Sequence, residues 1–172
     1  MSTVTFKGEL KVTVSGQLPA IGSAAPAFTL VKNDLSEVSL KDLAGKIIIL
    51  NIFPSLDTGV CATSVRRFNK EAAVLSGVQV LAVSADLPFA AGRFCTIEGI
   101  NKVYTGSVFR NPEFAENYGV LMTDGPLKGL LARSVVIIDA TGKVVYTELV
   151  SEITQEPNYE AALACYRQIS HE

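Results

Sequence analysis

Apolar residues at Val4, Phe6, Leu10, Val12 and Val14 keep one parity across Lys7-Gly8, which predicts an N-terminal two-stranded β-hairpin. Gly, Ser and Pro punctuate residues 16–26 and predict a loop, after which short apolar pieces at 28–31 and 38–40 predict two short strands. Residues 46–53, with Ile47-Ile48-Ile49-Leu50 at their heart, form a β-branched run too short for a buried helix, and Pro54 stops it. This predicts a central strand.

The period then changes. Val60, Val65, Phe68, Ala72 and Leu75 recur at helical spacing up to Gly77, and a second apolar strand follows at Val78–Ser84. Pro88 near a first helical position, Asp86 before it as a cap and Gly99 behind it predict a short helix over Pro88–Glu98, which carries Cys95. Val103–Ser107 reads as a strand, 112–118 as a helix turned by Gly119, and Asp124-Gly125-Pro126 as a loop. Ser134–Ile138 and residues 143–150 flank Thr141-Gly142 as an antiparallel hairpin, and Tyr159, Leu163, Tyr166 and Ile169 mark the stripe of a last helix. The order of strand, helix, strand, helix, hairpin and closing helix predicts an α/β architecture of the thioredoxin-like kind, a mixed central sheet flanked by helices.

Composition narrows the function. At 172 residues and 48% hydrophobic content, a single domain over 1–172 is expected. A formal charge of -2 with Lys and Arg scattered gives no footprint for nucleic acid. No apolar stretch reaches membrane-spanning length and the start lacks the pattern of a signal peptide, so a cytoplasmic protein with no membrane partner is expected. Three cysteines, none close in sequence to another, suit neither a disulfide scaffold nor a zinc site. Free or reactive thiols are the remaining use, and no motif calls for a metal or an organic cofactor.

Cys61 is the first candidate. An open α/β sheet binds ligands at the carboxyl ends of its strands, where residues 54–61 fall, and Cys61 then lies in the first turn of a helix. Unpaired N–H groups and the positive end of the helix dipole favour a thiolate there. A disulfide oxidoreductase would want Cys-x-x-Cys, but Ser64 holds the second place. His171, the only histidine, sits one residue from the end and argues against a cysteine–histidine hydrolase. Cys165, beside the stripe of the last helix with no motif around it, reads as a structural thiol. Arg66-Arg67 reads as a solvated helix face.

The run Phe53-Pro54-Ser55-Leu56-Asp57-Thr58-Gly59-Val60-Cys61 resembles the peroxidatic loop of the peroxiredoxins. Arg66-Arg67-Phe68-Asn69, Asp86-Leu87-Pro88-Phe89, Arg93-Phe94-Cys95 and Leu131-Ala132-Arg133-Ser134 extend the likeness to the bacterial thiol peroxidases, atypical two-cysteine peroxiredoxins, over essentially the whole chain. The resemblance implies that Cys61 is the peroxidatic nucleophile, Cys95 the resolving cysteine, Thr58 and Arg133 polar partners, and Pro54 a shield against water. It further implies a hydroperoxide substrate with organic hydroperoxides preferred, a Cys61–Cys95 intrachain disulfide, thioredoxin as reductant and a homodimer. Leu56, Val60 and Phe89 are candidates for an apolar pocket wall.

Physical arguments support two of these roles apart from the resemblance. Thr58 precedes the cysteine by one turn and can accept a hydrogen bond from a peroxide, or act as the N-cap of the helix. Arg133 can supply fixed donors to the sulfur and to the leaving oxygen. Their importance follows from magnitude. Moving a thiol pKa from about 8.5 to about 6 raises the thiolate share only roughly 30-fold, while the nucleophilicity of the sulfur falls. A fast peroxidase must therefore stabilise its transition state as well.

Overall fold

In the computed structural model, which describes residues 2–170, the alternating start pairs as expected. β1 (Ser2–Phe6) and β2 (Leu10–Val14) run antiparallel with Val4 opposite Val12, and Lys7 and Gly8, at φ of 54° and 74°, make the turn. His171 lies outside the described residues. β3 (Thr29–Val31) and β4 (Glu37–Ser39) follow, then a 3₁₀ turn at Lys41–Leu43 and β5 (Ile47–Ile52). The remaining elements are α1 (Gly59–Ala72), β6 (Val78–Ser84), α2 (Pro88–Glu98), β7 (Val103–Ser107), α3 (Glu113–Asn117), β8 (Ser134–Ile138), β9 (Val144–Leu149) and α4 (Tyr159–Ser170).

The main sheet has seven strands in the order β4-β3-β7-β6-β5-β8-β9. β5, β6 and β7 are parallel, and the other pairings are antiparallel, which is the mixed sheet expected. β5 lies inside, with Leu50 paired to Leu81 on one side and to Val136 on the other. Covered on both faces, it reads as a continuous aliphatic run rather than an alternation. Its parity still sorts the side chains. Ile48, Leu50 and Ile52 pack with Phe28, Phe114 and Tyr118, whereas Ile47, Ile49 and Phe53 pack with Cys61, Val65 and Phe68 of α1, Cys95 of α2 and Tyr159 of α4. A third cluster joins Val4, Val12 and Val14 of the hairpin to Met122, Ala132 and Ile153.

Local differences from the pattern have physical causes. α1 stops at Ala72, so Leu75 falls in the turn before β6, where it still packs against the core. α3 is shorter than 112–118, because Pro112 and Tyr118 flank it rather than join it. Gly119 then turns the chain at φ 66°, where a Cβ would collide with the Gln17 carbonyl. α2 has the predicted bounds, with Pro88 in its first turn and Gly99 in the left-handed conformation at its end. Its N-cap is Leu87, with no side-chain cap bond, and Asp86 is turned elsewhere.

Candidate active site

The segment between β5 and α1 brings the chain from the carboxyl end of the central strand to a helix start. Phe53 N–H still donates to the Val83 carbonyl at 3.0 Å, and Pro54, buried, ends the pairing. Cys61 follows in the first turn of α1, which holds no acidic residue to neutralise the positive helix end. Its sulfur is inaccessible to solvent, with 0% of the residue exposed. The backbone of that turn is held from below by a buried polar chain. Asn51, the one polar residue in β5, donates to Ser64 Oγ at 3.2 Å, and the Ser64 hydroxyl donates to the Cys61 carbonyl at 2.8 Å. Ser64 thus supports the turn that carries the thiol.

Arg133, at the entrance to β8, is the largest fully buried side chain in the structure, with 2% exposed. Its Nη2 lies 3.1 Å from Cys61 Sγ, and its Nε donates to the Ile153 carbonyl at 2.9 Å. Nη1 is buried without a protein partner. Among the described residues no carboxylate forms an ion pair with this guanidinium. A buried cation is costly unless negative charge or acceptors surround it, and the sulfur is what Arg133 faces.

Above Arg133 opens an apolar cavity of about 250 Å³ lined by Phe6, Pro54, Thr58, Val60, Leu130 and Ile153 among others. Three of the expected site residues, Pro54, Thr58 and Arg133, therefore line one cavity, and the Arg133 guanidinium also touches Cys61, which lies behind the cavity wall. Thr58 occupies the N-cap position by its extended backbone, but its hydroxyl makes no cap bond. It donates instead to the Ser55 carbonyl at 3.0 Å. A carbonyl can only accept, so the hydrogen is committed and the oxygen lone pairs remain free.

Cys95 is buried in the same cluster as Cys61, and all three cysteines are free thiols. Burial pushes the thiols of Cys95 and Cys165 up from their ordinary value, which disfavours their thiolates in this state. A second crevice of about 420 Å³ runs between the start of α1 and the length of α2, lined by Leu56, Asp57, Thr58, Ala62, Arg93 and Phe94 among others.

The Redoxin family profile matches residues 20–163. Proteins named thiol peroxidase from Mycobacterium tuberculosis and Mycobacterium bovis are each 58% identical over 164 residues, covering 95% of this chain and 98% of theirs. The chain belongs to the thiol peroxidases of the Redoxin family. Its activity is accordingly that of a peroxiredoxin-type peroxidase. A peroxiredoxin-like protein from Aquifex aeolicus superposes with a TM-score of 0.91 at 42% identity, covering 97% of this chain and 96% of that one. The thiol peroxidase from Chromobacterium violaceum shares the thioredoxin-like fold, with a TM-score of 0.88 at 21% identity over 96% of each chain.

Some parts of this thiol peroxidase's cavity differ from the sequence expectation. Val60 lines the apolar cavity, but Leu56 lines the polar crevice instead, and Phe89 is 72% exposed and lines neither. Phe6, Leu127, Leu130 and Ile153 take their place, brought from the hairpin and the loops around β8 and β9. Arg66 and Arg67 are half-exposed as expected, but Arg66 also reaches Glu98 at 3.0 Å and so joins α1 to α2.

The hairpin's part is structural and titratable. Thr5 N–H donates to the Ser151 carbonyl and Ile153 N–H to the Thr5 carbonyl, both at 2.8 Å, so the hairpin fixes the segment whose carbonyl holds Arg133. Glu152 fastens the same joint, accepting from Gly8 N–H at 2.6 Å, Thr5 Oγ1 at 3.0 Å, Thr154 N–H at 2.6 Å and the Thr154 hydroxyl. Partial burial opposes its ionisation, but these donors together pull its carboxyl down to about 2 from an ordinary 4.5. A lowered folded-state value means stability that is complete above the unfolded value and lost as pH falls through the folded one. Wild type is therefore expected to unfold at a higher temperature than Glu152→Gln near neutral pH, with the gap closing as pH falls from 4.5 to about 2. Calorimetric melting points across that range check this, and a gap independent of pH would exclude the carboxylate as its cause.

Proposed function

We propose that this thiol peroxidase reduces hydroperoxides through a Cys61 sulfenic acid and a Cys61–Cys95 intrachain disulfide, with organic hydroperoxides preferred. The observation that carries the reading is the Arg133 guanidinium 3.1 Å from Cys61 Sγ, with Arg133 itself lining an apolar cavity. The Cys61 thiolate attacks the distal peroxide oxygen, the O–O bond breaks, and the alkoxide leaves as an alcohol after taking a proton. Cys61 becomes the sulfenic acid. The Cys95 thiol then attacks that sulfur, the S–O bond breaks, water leaves, and a disulfide forms. A dithiol reductant, thioredoxin by resemblance, returns two electrons and two protons. Thr58 and Arg133 orient the peroxide and take up developing charge, Pro54 keeps water from the sulfur, and the whole cycle runs in one domain over 1–172. A cytoplasmic homodimer completes the reading.

The preference for organic substrates rests on the cavity wall. Phe6, Val60, Leu127, Leu130 and Ile153 offer apolar surface but few polar groups to bind a small peroxide. Burial contributes ~0.8 kcal/mol per CH₂, so even partial burial of a cumyl or butyl group favours the organic peroxide by roughly 10-fold or more. Steady-state consumption of cumene hydroperoxide and hydrogen peroxide, driven by thioredoxin and its reductase, is the test. The expected result is a higher kcat/KM for the organic peroxide, expressed mainly in KM. Equal values for both would remove the cavity from substrate selection.

A further inference from the structure

We propose that Asp86 is a positioning residue that orients Thr58 toward the peroxide, and so governs how Cys61 reacts with peroxides but not its general nucleophilicity. The inference rests on the roles read above for Cys61 and Thr58. Asp86 lies between β6 and α2, and its half-buried carboxylate collects three donors from two segments. Oδ1 accepts the Ser55 hydroxyl at 2.8 Å, while Oδ2 accepts Leu56 N–H at 2.8 Å and the Ser84 hydroxyl at 2.7 Å. Ser55 in turn accepts, through its carbonyl, both the Thr58 hydroxyl at 3.0 Å and the Thr58 N–H at 3.2 Å. Two links thus run from Asp86 to the hydroxyl of Thr58, a residue that lines the cavity.

The Ser55–Leu56 peptide is the hinge of this chain. Its N–H is held by Asp86 and its carbonyl holds Thr58, so fixing one end fixes the direction of the other, because the peptide unit is planar. The buried Leu56 side chain anchors the loop's position, with 4% exposed, but a side chain does not set the rotation of the peptide before it. Without Asp86 that peptide is free to turn, and the Thr58 hydroxyl turns with it. Misplacement of a reacting group by about 1 Å can cost roughly 10²-fold in rate. Arg133 is anchored separately, through the Ile153 carbonyl, so its contact with Cys61 does not depend on this loop. Loss of Asp86 should therefore separate two reactivities of one sulfur.

A carboxylate suits the position because it accepts all three donors at once. Asparagine offers one acceptor oxygen, which can keep Leu56 N–H, while a serine hydroxyl can reverse to accept from its amide. Asp86→Asn should therefore restore part of what Asp86→Ala loses.

The experiment uses the full-length chain with Cys95→Ser, so that only Cys61 reacts. Rates of Cys61 oxidation by cumene hydroperoxide and of alkylation by iodoacetamide are measured at one pH. Asp86→Ala is expected to slow the peroxide reaction about 10-fold or more while alkylation stays within about 2-fold, with Asp86→Asn and Ser55→Ala between it and wild type. Parallel loss of both rates would make Asp86 a support of the fold only, and an unchanged peroxide rate would likewise overturn the proposal. If Asp86→Ala does not fold, Asp86→Asn decides by the same criteria. If the parent with Asp86 intact already shows no advantage for peroxide over iodoacetamide, the Cys61 reading fails instead, and the two failures are told apart.

Discussion

Replacing Cys61 with serine is expected to abolish peroxide turnover, because among the described residues no other sulfur is hydrogen-bonded to a buried cation. Serine keeps the size of the side chain and the polar chain through Ser64 and Asn51, so the fold should persist. It loses the sulfur and leaves a hydroxyl, a far weaker nucleophile. Cys95→Ser should behave differently. It should consume about one equivalent of peroxide and stop at the sulfenic acid, since in the proposed cycle the first step needs only Cys61, Arg133 and Thr58. Cys165→Ser should be nearly neutral, for that thiol packs on α4 beside Val145 and is kept protonated by burial. Stopped-flow peroxide consumption with quantified equivalents distinguishes the three. Equal loss in all of them, or turnover without Cys61, would sink the assignment.

The proposed Cys61–Cys95 disulfide would also ask the intact chain to open. Both thiols are buried in one packed cluster on α1 and α2; the Arg66–Glu98 pair ties the two helices, and Asn69 Oδ1 ties α1 to the loop after α2, accepting from the N–H groups of Asn101 and Lys102. The pair is exposed and adds little, about 0–1 kcal/mol. α2 is 11 residues long, below the length at which a helix is stable by itself, and Gly92 within it lowers its propensity further. Opening this segment is therefore the inexpensive route to a disulfide. Closing a loop of about 35 residues then offsets part of the lost packing by constraining the unfolded chain.

Much of this was legible in the sequence, and what was not has a common cause. β5 was readable because burial on both faces demands an aliphatic run, and α2 because Pro88 and Gly99 are local signals with fixed meanings. Cys61 was placed at a helix start by Pro54 before it and the helical period after it. Asp86 was misread for the same reason: an Asp just before Leu-Pro matches a capping pattern, whereas its carboxylate is claimed by Ser55 and Leu56, about 30 positions away. Phe89 misled because an apolar residue beside a motif looks like a wall, yet nothing local tells which face of α2 it occupies. Phe6 and the Ile153 carbonyl had no signal near the motif, since they reach the cavity only when the hairpin docks on the 151–154 segment. Asn51 had a faint one, a lone amide in an aliphatic strand.

Replacing Arg133 with methionine is expected to slow the reaction of Cys61 with peroxide by roughly 10²-fold or more, about 2.7 kcal/mol of transition-state stabilisation. Methionine preserves much of the volume in a fully buried site, so packing around Ile153 should survive. What it removes is the donor set: Nη2 on the sulfur, Nε on the Ile153 carbonyl, and the unpartnered Nη1. An unpaired buried donor is costly in the resting enzyme, and that cost is recovered when the leaving oxygen, gaining charge, accepts from it. Two effects are therefore lost together, charge beside the thiolate and a hydrogen bond made only in the transition state. Alkylation of Cys61 by iodoacetamide, measured beside the peroxide reaction, separates them, because a loss confined to the peroxide reaction isolates the transition-state part. Arg133→Lys should recover only some of it, because a single ammonium keeps the charge but cannot span the sulfur and the leaving oxygen as a planar fork does. Equal loss in both reactions would confine Arg133 to its effect on the sulfur itself, and unchanged rates would leave it only the Ile153 carbonyl to support.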